Sequence, residues 1–147
     1  MIIYKFLSLP SYEKTFLLNA YFYLLLWRIR LSFLPFSSLL DKCRNSPLTE
    51  ISSAKLRPIT SFVRLLNSAS AFVPCTTCLS KACASHILLK KNGYLTDLHI
   101  GVLRNSDSNF LAHAWLSYKG QVVIGIRPDL NEYRDILPKN ITHQPFA

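Results

Sequence analysis

The hydrophobic period of this chain changes at Gly93, and the change limits it to an α+β architecture. Before Gly93, "ITSFVRLLNSASAFVP" places Phe62, Val63, Leu65, Leu66, Ala69 and Phe72 near helical spacing and stops at Pro74. A second helix is predicted over 77–91, with Thr76 or Thr77 as its cap and Lys90, Lys91, Asn92 and Gly93 as its C-terminal signal. After Gly93, "TDLHIGVL", "FLAHAWLSY" and "QVVIGI" read as strands. The polar loop 104–109 and Lys119-Gly120 join them, which predicts an antiparallel meander. Helices come first and pack on a small sheet after them.

Residues 1–45 are apolar and helical in pattern. "SYEKTFLLNAYFYLLLWRIRLSFLPF" opens with Ser11 and Glu13 as a cap region, is apolar nearly all round from Phe16 to Trp27, and ends near Pro35. The uninterrupted stretch from Thr15 to Trp27 contains Asn19 and is 13 residues long, against the roughly 20 that a membrane span needs. A packing helix with Tyr21, Tyr23 and Trp27 at its edge, or a helix lying on a membrane surface, fits that length better. "RNSPLTEISSAKLRP" (44–58) reads as a polar join. The predicted organisation is an apolar helical extension and linker over 1–58 and a core over 59–147.

At 147 residues the chain can bury a real core without disulfide staples, and its four cysteines are too few for a framework. No cleavable signal peptide opens it, so reduced thiols and a cytoplasmic setting are expected, with the inner membrane surface as an alternative site of attachment. Seventeen Lys and Arg against eight Asp and Glu give a net charge of +9, which calls for an acidic partner. The basic residues are scattered and follow no nucleic-acid-binding pattern, which argues against that class.

Three cysteines and a histidine, Cys75, Cys78, Cys83 and His86, have ligand types that suit zinc and allow a second reading as a zinc-stabilised, non-catalytic binding module. Helix geometry opposes it. His86 lies eight residues after Cys78, about 12 Å along an unbroken helix, so one ion could not reach both. Cys83 then reads as a small buried hydrophobe and His86 as a partly exposed helix histidine. Cys78 differs, because it falls in the first turn, where unsatisfied N–H groups and the helix dipole favour a thiolate. A base must come from elsewhere. On "FLAHAWLSY" alternation puts Leu111, His113 and Trp115 on one face, so His113 is the candidate, with His99 as a rival and His143 read as solvated. Spacing alone leaves a purely structural role open for His113.

"CLSKACASHILLKKNGYLTDLHIGV" followed by "AHAWLSYKGQVVIG" resembles the leader peptidases of lasso-peptide biosynthesis, in their C-terminal transglutaminase-like cysteine-protease part. The N-terminal apolar segment ending Leu-Pro-Phe is similar to the helical preface of those proteins, so the likeness runs from about residue 13 to 136. It implies a transglutaminase-like, papain-like core that removes the leader from a ribosomally made precursor peptide. Cys78 would be the nucleophile and His113 the base. Many relatives carry Asp twelve residues after the histidine, where this chain has Gly125; Asp129 is the carboxylate expected to replace it, with a side-chain amide or main-chain carbonyl as the alternative. The resemblance further implies no cofactor of the chain's own, ATP being used by a partner, an asparagine-synthetase-like macrolactam cyclase. It also implies a small stand-alone leader-binding protein, since no such domain precedes the helices here. The apolar surface over 15–36 and the positive charge are where partners are expected to dock.

Overall fold

Proline decides where three of the helices of this chain start. In the computed structural model, which describes residues 2–51 and 57–137, a short helix α1 (Ile2–Leu7) is followed by α2 (Ser11–Phe33), α3 (Phe36–Arg44), α4 (Ile59–Phe72) and α5 (Cys78–Lys91). Pro10, Pro35 and Pro58 occupy the cap positions of α2, α3 and α4 with φ of −61°, −65° and −59°, the angle the pyrrolidine ring imposes. Proline also ends helices by pushing the residue before it into extended backbone. Leu34 (φ −109°, ψ 147°) and Val73 (φ −87°, ψ 119°) are such residues, ahead of Pro35 and Pro74.

The helix expected from Ser11 to near Pro35 forms as α2, extends beyond its apolar stretch of 15–27 and is built into the core. Ala20, Leu24 and Trp27 on α2 are fully buried where α2 packs on α4 and α5. An aromatic series runs from there toward the sheet: Phe16 meets Phe62 at 4.5 Å, Phe62 meets Tyr94 at 5.4 Å, and Tyr94 meets Tyr118 at 5.8 Å. Glu13 is not a cap. Ser11 is the first helical residue, and the Glu13 carboxylate is buried, accepting from Tyr12 Oη at 3.0 Å and lying 3.6 Å from Arg64 on α4. Among the described residues no helix is long and apolar enough to cross a membrane. The expected join over 44–58 falls partly on 52–56, outside the described residues, as does His143.

The three expected strands form as β1 (Thr96–Arg104), β2 (Phe110–Tyr118) and β3 (Gln121–Ile124), and a two-residue strand β4 (Arg134–Asp135), too short to show a period, pairs with β1. The sheet is antiparallel with order β3-β2-β1-β4. Lys119 and Gly120 both take positive φ, 49° and 79°, as a tight hairpin turn requires. In the longer loop, Asn105 Oδ1 accepts from the main-chain N–H groups of Asp107 and Asn109. Leu98, Ile100, Ala114, Leu116 and Ile124 point into the core that α5 shares. The alternate residues His99, Gly101, His113, Trp115 and Ser117 occupy the other face in register, His99 opposite Trp115 and Gly101 opposite His113. Among the described residues the result is a mixed α+β fold of five α-helices and a four-stranded sheet.

Candidate active site

Thr77 and Ser80 fix the residue that begins α5. Ser80 N–H donates to Thr77 Oγ1 at 3.1 Å and Thr77 N–H donates to Ser80 Oγ at 3.0 Å, a reciprocal capping box. Cys78 is therefore the first helical residue, as the sequence suggests, and it is partly buried. Of the three further cysteines, Cys75 is exposed in the preceding turn with φ 55°, while Cys43 and Cys83 are buried. A hydrogen bond to Cys43 and then burial push the Cys83 thiol up, so it stays protonated.

The four candidate zinc ligands do not converge. The helix carrying three of them is unbroken from Cys78 to Lys91, and no group of His, Cys, Asp and Glu among the described residues could hold a metal ion. His86 departs from expectation, because it is buried rather than partly exposed. Its Nδ1 lies 2.8 Å from Thr96 Oγ1. Burial, reinforced by the charge of Lys90 and opposed by a main-chain hydrogen bond with Cys43, lowers its pKa from 6.5 to about 3. Its neutral state is thus part of the fold. Below pH 6.5 the unfolded chain binds a proton that the native His86 refuses. Stability is therefore complete above that pH and falls as pH drops toward 3, by up to about 1.4 kcal/mol per pH unit. Urea midpoints measured from pH 6.5 to 4.5, above the carboxylate range, should follow that slope. His86→Gln should flatten it, and an equally steep slope in that variant would remove His86 as its source.

His113 sits on the inner strand β2 with its ring held on several sides. Nε2 lies 2.7 Å from the Gly125 carbonyl oxygen; a carbonyl only accepts, so Nε2 carries the hydrogen and Nδ1 of the neutral ring keeps its lone pair. Nδ1 has no hydrogen-bond partner among the described residues. The ring lies nearly parallel to Trp115 (6.2 Å, 15°) and against Tyr133 (5.7 Å). Gly101 makes room for both neighbours, since a Cβ there would stand 2.8 Å from the Trp115 ring and 2.9 Å from Tyr133 Cβ.

Asp129 is not the partner of His113. Both of its oxygens accept from Arg127, from Nε at 2.9 Å and Nη2 at 3.1 Å, and this pair holds the carboxyl below its ordinary range. Of the alternatives for orienting the ring, the geometry takes the main-chain carbonyl, because Gly125, with φ 80° and no Cβ, can bring that oxygen to Nε2. Asp129 still belongs to the neighbourhood. The His113 charge acts on Asp129, and the Cys78 charge acts on Arg127, whose guanidinium lies 5.7 Å over the Tyr133 ring. Arg127 and Asp129 thus lie in the neighbourhood of Cys78 and His113, which no hydrogen bond joins directly among the described residues. The rival base His99 has both nitrogens engaged, Nδ1 donating to Asp135 Oδ2 at 2.6 Å and Nε2 lying 2.8 Å from Ser117 Oγ. Arg127 and Tyr133 were invisible as site residues in the sequence, although the Arg-x-Asp spacing just after Gly125 carries the signal of a local ion pair.

Helix-start cysteine and strand histidine lie within residues 22–138, which match a family model described as the transglutaminase-like superfamily; the chain belongs to that superfamily, whose members are commonly cysteine peptidases and transferases. Comparison with curated proteins and with solved structures returns no match.

Proposed function

We propose that this protein is a cysteine peptidase that removes the leader from a ribosomally synthesised precursor peptide during lasso-peptide maturation. The observation that supports the reading is a first-turn cysteine on α5 and, on the strand β2 against which α5 packs, a histidine whose Nε2 is bound to Gly125 and whose Nδ1 has no hydrogen-bond partner among the described residues. Nδ1 takes the proton of Cys78 Sγ as the sulfur attacks the scissile carbonyl, then delivers it to the departing amine; water hydrolyses the thioester. The cap engages the N–H of Ser80, so those of Cys78 and Leu79 are the donors for the developing oxyanion.

The lasso-peptide role rests on the sequence resemblance. It brings three partners: the precursor peptide, a small leader-binding protein and an asparagine-synthetase-like macrolactam cyclase that uses ATP. The chain itself needs no cofactor for thiol hydrolysis. Mass spectrometry of a candidate precursor, incubated with this protein, the leader-binding protein, the cyclase and ATP, should show loss of the leader mass only when this chain is present. An intact precursor in the complete mixture would count against the assignment.

A further inference from the structure

The outer face of α2 is strongly apolar, and among the described residues most of it is left exposed. Leu18, Phe22, Ile29 and Phe33, with the partly buried Leu25 among them, recur at intervals of three and four residues and form a stripe about 22 Å long. Leu18, Phe22, Ile29 and Phe33 are 62%, 60%, 49% and 83% exposed, and Tyr21, Leu34 and Phe36 widen the patch at its flank and C-terminal end. Packing inside the protein cannot account for a surface of this kind.

Charge selects the occupant. Lys14, Arg28 and Arg30 flank the stripe, and Lys42 follows on α3. The acidic residues of the same region are engaged elsewhere: Glu13 is buried beside Arg64, and Asp41 pairs with Arg44. A second copy would bring another chain of net charge +9, which opposes self-association. The helix also cannot enter a bilayer, since Ala20, Leu24 and Trp27 on its inner side are fully buried in the core. What fits is a planar, anionic, apolar-backed surface. We infer that α2 lies flat on an anionic lipid membrane, its outer phenylalanines at the acyl boundary and its basic residues among the headgroups. The site is separate from the thiol chemistry and stands whether or not the chain cleaves a peptide.

Co-sedimentation of the full chain with vesicles tests it. Binding is expected to vesicles of phosphatidylcholine with phosphatidylglycerol, to be weak with phosphatidylcholine alone, and to fall as salt is raised. Phe22→Ser and Phe33→Ser change side chains that make little contact with the core, so both variants should keep the wild-type circular dichroism and thermal transition. Each should weaken vesicle binding by about tenfold. Absence of wild-type binding to the anionic vesicles, equal binding by the double variant, or a stable dimer in solution that needs Phe22 and Phe33 would overturn the inference. Absence of binding would assign the stripe to an acidic groove on a soluble protein.

Discussion

Cys78→Ala is expected to lower leader cleavage by at least about 10³-fold, because nothing else in the neighbourhood can form the acyl intermediate. The contrast with the other cysteines makes the experiment specific. Cys75→Ala keeps a β-carbon at the same positive φ and removes only an exposed thiol, so cleavage should be unchanged. Cys83→Ala leaves a small void beside Cys43 and should cost about 1 kcal/mol of stability, with full activity at temperatures where the protein is folded. The three rates, measured by mass spectrometry on one precursor preparation, separate the thiol mechanism from the zinc-bound alternative. A metal cluster would lose function equally in all three variants. His113→Ala should fall with Cys78→Ala, and the double variant should be no worse than either alone, since nucleophile and base act as one unit.

What could be read beforehand and what could not divides along physical lines. The start of α5 is legible to within a residue because a cap threonine, Thr76 or Thr77, is a local signal that puts Cys78 in the first turn, and the reciprocal bonds of Thr77 with Ser80 select Thr77. The strands were legible because alternation is local too, and the face shared by His113 and Trp115 followed from it. His86 was misread for the opposite reason. A helix packed on one sheet leaves a solvent side, but α5 is covered by α2 and α3 as well as by β1 and β2. The run of small residues Ser80, Ala82, Ala84 and Ser85, all buried, was the available sign of a helix approached from several directions. Glu13 was assigned to a cap from its position, whereas its partner Arg64 is about fifty residues away in sequence. The orienting group of His113 was open in principle: a glycine where a carboxylate is usual reads as a loss until the direction of its carbonyl is known.

Restoring that carboxylate is therefore expected to damage the protein. A β-carbon at Gly125 would stand 2.7 Å from the Ala114 carbonyl oxygen and 2.9 Å from Trp115 Cβ, and the backbone there has φ 80°. The left-handed conformation costs a side-chain-bearing residue about 1 to 2 kcal/mol, and overpacking against β2 adds about 1 to 3 kcal/mol. Gly125→Asp and Gly125→Ala should both lower Tm by about 10 °C, because the shared β-carbon, rather than the carboxylate, is what the site cannot hold. The strain falls on the strand that carries His113 and on the Trp115 ring beside it, so activity should drop in both variants even where they remain folded. Calorimetry and cleavage rates on the pair distinguish the two accounts of the site. If Gly125→Asp kept the wild-type Tm and cleaved faster than Gly125→Ala, the carbonyl would be a substitute for a missing aspartate. Matched losses would mean that the strand pairing and His113 have been built around the glycine itself.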